Sequence, residues 1–281
     1  IVAGLETLDR GGVSIDGEKV SDANAPLPSK KEFVLKVGKR KFLTYRIPNI
    51  WEEKGYRLAR AFMNIVTSAD LAEEFSFHSP PVIEVILPMT KSADQILQVE
   101  KMFRKVAQLK CEIFENKKVC RFNAIEVIPL IERVEDLIAA DRLIAKYFDL
   151  YQKTYGRYPA YLRPFIARSD PALNAGLVPA VLASKAAISH FYVLSHQYGV
   201  PMFPIIGTGS LPFRGGVNPE NIQEILPEYR GIRTITIQSA FKYDYPQAQV
   251  RSALKYISKM LPRFSPEILT SFTIILKQDP Y

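Results

Sequence analysis

Short apolar runs rich in β-branched and aromatic residues recur along the chain at a near-constant interval. They begin near Phe42, Val82, Phe122, Tyr161, Pro201 and Ile232, roughly forty residues apart except for a last gap of about thirty. Each has the length and composition of a strand. Between them the period changes. Leu58-Phe62-Ile65-Val66, Ile96-Val99-Phe103-Val106 and Leu137-Ala140-Ile144-Phe148 place apolar residues three or four apart, the spacing of one helix face. Ser92-Ala93-Asp94-Gln95 reads as a helix start, and so does Asn218-Pro219-Glu220 with Pro at the first helical position. Ser265-Pro266-Glu267 reads as the cap of a last helix.

Strand–helix alternation at this period predicts an α/β fold with a parallel sheet and crossover helices. The runs are apolar nearly throughout, as strands covered on both faces are. A doubly wound open sheet and a (β/α) barrel both fit. The first strand–helix turn, Ile47-Pro48-Asn49, lacks a glycine-rich dinucleotide fingerprint, which counts against the former. Six strands are visible, about two fewer than a whole barrel needs, so the barrel is expected to be incomplete in this chain. The expected division is an irregular, turn-rich leader over 1–40, a barrel over 41–262 and a C-terminal helix over 263–281.

The chain has 281 residues, of which 47% are hydrophobic and 23% charged. That supports a sizeable core and excludes wholesale disorder, a small disulfide scaffold and a collagen-like fibre. No apolar run is read as reaching the ~18 residues of a membrane span, so no membrane role is expected. The chain starts at Ile1 and shows no targeting leader, and it reads as a piece of something longer. Cys111 and Cys120 lack metal-knuckle spacing and are expected to be reduced thiols of a cytoplasmic protein. The net charge of +8 is scattered in short knots such as Lys39-Arg40-Lys41. This favours a solvated surface, or an enzyme that gathers a small anion, over a nucleic-acid partner.

The chemistry-bearing residues follow the strands. Arg46, Glu132, Arg168 and Asp170, Arg214 and Lys242 all stand just beyond a strand end, where a barrel keeps its active site. Two carboxylates completed by waters and a substrate oxygen suit a hard divalent cation such as Mg²⁺ or Mn²⁺. Arginine forks match phosphate and carboxylate. Either acid alone also fits a helix-terminal role, Glu132 beside a helix dipole and Asp170 as an N-cap. The stretch from Gly207 to Gly216 is glycine-rich without the Lys-Ser/Thr of a P-loop, and a plain flexible loop is the competing reading. His190 and His196 fall on different helical faces, His78 precedes a strand, and no catalytic histidine motif is present.

Five ordered segments carry a resemblance: SPPVIEVILPMT (79–90), IEVIPLIERVEDL (125–137), ARSDPALNAG (167–176), PIIGTGSLPFRGGVNPENI (204–222) and EYRGIRTITIQSAFKYDYP (228–246). Over roughly residues 40 to 260 the chain resembles archaeal-type phosphoenolpyruvate carboxylase. The resemblance implies a TIM-type barrel that joins phosphoenolpyruvate and bicarbonate into oxaloacetate and phosphate. The route passes through carboxyphosphate and a metal-bound enolate, with Mg²⁺ or Mn²⁺ and without biotin. It places the metal on Glu132 and Asp170, and a catalytic arginine at Arg214 with Gly215 and Gly216 beside it. Arg46 and Lys242 fall near the substrate anion. Arg168, next to a metal position, is read as a second catalytic arginine from its place alone. A homotetramer is implied as well. The family's N-terminal histidine motif, of the form TQHPDN, and its C-terminal part have no counterpart here. Two alternatives therefore stand beside the carboxylase: a truncated relative that binds metal and phosphoenolpyruvate without turnover, and a metal-dependent aldolase or lyase acting on a pyruvate enolate.

Overall fold

The computed structural model describes residues 13–15, 18–20, 43–75, 80–114 and 120–263. Within the first forty residues, β1 (Val13–Ile15) and β2 (Glu18–Val20) pair antiparallel, and the rest of that leader lies outside the described residues. So do His78 and, apart from Arg263, the expected C-terminal helix over 263–281.

The main sheet holds β3 (Leu43–Arg46), β4 (Val82–Leu87), β5 (Glu126–Ile131), β6 (Phe165–Ile166), β7 (Ile205–Ile206) and β8 (Thr234–Ile235). All six are parallel, and their order in the sheet is their order in the chain. A doubly wound sheet reverses direction at a switch point. No reversal occurs, so the sheet curls one way into an incomplete β/α barrel. The last three strands are shorter than their apolar runs predict. Pro164, Pro201 and Pro204 have no N–H to give a ladder, yet their carbonyls still accept from Ile205, Leu162 and Thr234.

The helices come where the periodicity places them, with two adjustments. α1 (Tyr56–Glu74) buries Leu58, Phe62, Ile65 and Val66, and α2 (Ala93–Phe114) buries Ile96, Val99 and Phe103. Phe62 and Phe103 meet edge to face at 5.4 Å, which locks α1 to α2 above the sheet. Ser92 and Gln95 form a reciprocal cap at the start of α2: each side-chain oxygen accepts from the other's backbone N–H. The third apolar stripe is divided at Ala139 between α3 (Val134–Ile138) and α4 (Ala140–Tyr155). α5 (Ser169–Ala175) and α6 (Leu177–Tyr198) follow β6. Asn218 does not open a helix. It closes a side-chain turn onto Glu220 and Asn221, and α7 (Ile222–Glu228) begins only at Ile222. α8 (Ser239–Tyr243) and α9 (Gln247–Met260) complete the described fold.

Two expectations are corrected. α6, with a mean hydropathy of 1.5, is long and apolar enough to cross a membrane. Its apolarity has a local reason: Ala180, Ala183, Ala187 and Phe191 are buried as it packs on α3, α4 and α5. The cysteines are not free thiols. Folding brings Cys111, near the end of α2, and Cys120, ahead of β5, to a Cα separation of 5.8 Å, and they are joined as a disulfide.

Candidate active site at the strand C-termini

An open cavity of about 390 Å³ lies beyond the C-terminal ends of β3 to β6. Arg46, Met89, Lys91, Glu132, Arg133, Asp136, Asp170 and Asn174 line it. Arg46 ends β3, Met89 and Lys91 follow β4, Glu132 follows β5, and Asp170 and Asn174 stand on α5 after β6. Three of the residues singled out in the sequence, Arg46, Glu132 and Asp170, thus meet in one place.

Glu132 is fixed by a neighbouring strand end and not by a helix. Its Oε2 accepts the Met89 backbone N–H at 2.8 Å. Partial burial pushes its carboxyl up, the Met89 amide and Arg46 pull it down, and the charge of Asp170 pushes it up again. Asp170 is not the N-cap of α5: it lies in the first turn behind Arg168, and neither α3 nor α5 has a side-chain cap bond. Asp136 is also raised by burial, against the pull of Arg133.

Two carboxylates, with the charge of Asp170 disfavouring the ionised form of Glu132, are hard oxygen ligands that fit a dication. Among the described residues no three His, Cys, Asp or Glu side chains are placed so as to hold a metal ion by themselves. A cation on Glu132 and Asp170 would therefore take its remaining ligands from water or substrate.

The other expected residues stand apart from this lining. Arg168 is buried, its Nε donating to the Tyr229 hydroxyl at 3.1 Å while its Nη1 has no partner. Arg214 lies on a 3₁₀ turn, Pro212–Arg214, that packs against α5, the helix of Asp170. Lys242 is on α8, with its ammonium 4.9 Å from the Tyr243 ring centre. His190 and His196 are both on α6 and line no part of the cavity.

The glycine-rich stretch is an ordered turn. Gly209 N–H donates to Arg214 O at 2.7 Å, and Val217 N–H returns to Gly209 O at 2.9 Å. Gly215 and Gly216 have φ of +100° and +67°, which side chains other than glycine rarely adopt. A side chain at Gly209 would run into the Gln238 amide. That amide accepts from Arg214 Nη1 at 3.1 Å, so Gln238 holds the arginine from the end of β8. Thr208 and Thr236 exchange three hydrogen bonds, which staple the base of the turn to β8.

The sequence reading missed Asp136, Asn174 and the Met89 amide as cavity groups, and it missed Gln238 as the partner of Arg214. A backbone donor leaves no signal in residue identity. Gln238 was visible only as one polar residue in a strand-end run.

The sequence model described as phosphoenolpyruvate carboxylase matches residues 27–274. The chain belongs to that family. It is 41% identical over 219 residues to the phosphoenolpyruvate carboxylase of Oenococcus oeni, covering 78% of this chain and 43% of the relative. It is 40% identical over 253 residues to that of Caldivirga maquilingensis, covering 85% and 48%. The Metallosphaera sedula protein of the same name is 41% identical over 234 residues, covering 79% and 45%. The chain spans about half the length of these relatives. The archaeal-type resemblance is thereby established for about four-fifths of the chain, with archaeal and bacterial members alike.

Proposed function

We propose that this chain forms the metal- and phosphoenolpyruvate-binding part of a carboxylase that makes oxaloacetate and phosphate from phosphoenolpyruvate and bicarbonate. The observation that carries the proposal is the meeting of Arg46, Glu132 and Asp170 in one cavity at the strand C-termini. The fold reads as six strands of a TIM-type barrel, whose chemistry sits at that end.

Glu132 and Asp170 would hold Mg²⁺ or Mn²⁺. When bound, the cation supplies positive charge where oxyanions develop. Arg46 binds the substrate carboxylate or phosphate. Arg214, on its rigid turn beside α5, faces charge that builds during phosphoryl transfer, as preorganised cations do in water-poor sites. Lys242 and the backbone at Gly215 and Gly216 serve the same anion, and Arg168 stiffens the segment that carries Asp170. In the proposed sequence a bicarbonate oxygen attacks phosphorus and the enol C–O–P bond breaks at phosphorus. Carboxyphosphate and the enolate of pyruvate result. Carboxyphosphate then splits into CO₂ and phosphate, and the enolate carbon takes up CO₂. Biotin has no part in these steps. A cytoplasmic homotetramer is the assembly we expect.

The test is a coupled assay on the full natural chain with phosphoenolpyruvate, bicarbonate and Mg²⁺, following oxaloacetate through malate dehydrogenase and phosphate in parallel. One phosphate per oxaloacetate, with strict bicarbonate dependence, is the expected result. Absence of oxaloacetate overturns the proposal, and release of pyruvate from a 2-oxo acid without phosphate favours the lyase.

A further inference from the structure

Asn49 lies outside the lining of the cavity, at the end of β3, and is fully buried. Its Nδ2 donates to Pro88 O at 2.8 Å and to Met89 O at 3.3 Å, and its Oδ1 accepts the Trp51 N–H at 3.0 Å. Pro88 O and Met89 N–H belong to the same peptide plane. Asn49 grips the carbonyl end of that plane, and Glu132 Oε2 accepts from its N–H end at 2.8 Å. Met89 has φ of +48° and is the one residue other than glycine with positive φ among the described residues. A bulky side chain is strained there unless its surroundings hold it.

These observations fit together one way. Without the Asn49 amide, Met89 relaxes toward negative φ, the plane turns, and Glu132 loses the donor that aims it. We infer that Asn49 is a positioning residue for Glu132, acting through the Pro88–Met89 peptide. This rests on the reading of Glu132 as a cation ligand given above. Groups that orient metal ligands from behind typically matter 10–100-fold in metal affinity or activity.

The test compares wild type with Asn49→Ala in the full natural chain, using three readouts: Mn²⁺ binding by electron spin resonance, the Mg²⁺ concentration for half-maximal turnover, and hydrogen exchange at the Met89 amide. We expect Mn²⁺ affinity to fall and the Mg²⁺ requirement to rise by about tenfold or more. The KM for phosphoenolpyruvate at saturating Mg²⁺ should change less, and Met89 exchange should quicken while β4 stays protected. If Asn49→Ala does not fold, Asn49→Asp keeps the volume and the Trp51 bond, removes both donors, and should show the same shifts. A folded variant with unchanged Mn²⁺ affinity and unchanged Met89 exchange overturns the inference, whatever its melting temperature. Absence of Mn²⁺ binding in wild type overturns it too, together with the ligand reading. If wild type makes no oxaloacetate yet Asn49→Ala weakens Mn²⁺ binding, the carboxylase proposal falls and the positioning role stands.

Discussion

The carboxyl of Glu100 offers a test of the fold that is independent of catalysis. Glu100 is on α2 and only 4% exposed. Its Oε1 accepts the Tyr147 hydroxyl of α4 at 2.6 Å, and its Oε2 has no partner. Burial, with a further push from Glu126 of β5, raises its pKa from the ordinary 4.5 to about 8, against the pull of Tyr147, Arg104 and Lys101. A carboxyl raised on folding binds its proton more tightly in the native state. Its contribution to stability is therefore fully present below pH 4.5 and lost as pH rises through about 8. Well inside those limits each pH unit removes about 1.4 kcal/mol, and with the shallower slope near either limit the loss from pH 5 to pH 8 is about 3.5 kcal/mol. Glu100→Gln keeps the shape and an acceptor for Tyr147 but has no proton to lose. Urea midpoints of both proteins across pH 5 to 9 are the measurement. The variant should lie near wild type at pH 5 and become progressively more stable toward pH 8, after which the gap stops growing. A gap that stays constant with pH would refute the reasoning, because a packing effect alone carries no pH slope.

Two shorter predictions concern the two ends of the barrel. Gly209→Ala pushes a methyl into the Gln238 amide and toward Arg214 Cδ, 3.2 Å away. On the proposed role of Arg214, displacing its cation costs about 10²-fold in rate, so kcat should fall by that order while the melting temperature moves little; unchanged kcat would remove Arg214 from the proposed chemistry. Glu84→Ala removes the buried carboxylate, only 2% exposed, that is paired with Arg163. Breaking such a pair costs about 3–5 kcal/mol, a drop of roughly 10 °C in melting temperature. Glu73→Ala, which opens the exposed pair with Arg121, should hardly register in the same calorimetric scan.

What the sequence revealed and what it hid divide along physical lines. The helix faces of α1 and α2 were legible because burial demands a period, and Leu58, Phe62, Ile96 and Phe103 keep it. The parallel sheet was legible because strand–helix alternation needs crossovers, and the missing glycine-rich fingerprint at Ile47-Pro48-Asn49 pointed away from a doubly wound order. Strand length was not, since the runs holding Pro164 and Pro204 look like strands by composition but lack donors for a ladder. The pairing of Cys111 with Cys120 depends on how the chain returns from α2 to β5, which no spacing rule states. Arg46, Glu132 and Asp170 were found because strand ends converge in a barrel. The Met89 amide and the Asn49 brace were not found, because both act through backbone groups that every sequence contains.

Glu84 and Glu132 differ in how far their charge is already neutralised, which bears on the proposal that Glu132 is a cation ligand. Glu84 sits early in β4 and is buried to 2%. It is paired with Arg163, which also donates to Thr234 of β8, and Glu84 accepts the Tyr161 hydroxyl at 3.0 Å. These contacts link β4, β6 and β8, the alternate strands that share a layer inside a barrel. Its charge is spent on closing that layer, at the end of a barrel where residues serve stability. Glu132 stands at the opposite end with one backbone donor and no salt bridge within 4.0 Å among the described residues, and Arg46 acts on it only through space. Among the described residues its second oxygen accepts no hydrogen bond, and Asp170 adds a like charge across the cavity. Supplying an arginine to Glu132 as close as Arg163 is to Glu84 would satisfy the acid and leave nothing for a dication to neutralise. On the proposed reading, the incomplete neutralisation of Glu132 is the physical property that would separate it, as a binding carboxylate, from the structural Glu84 on the same sheet.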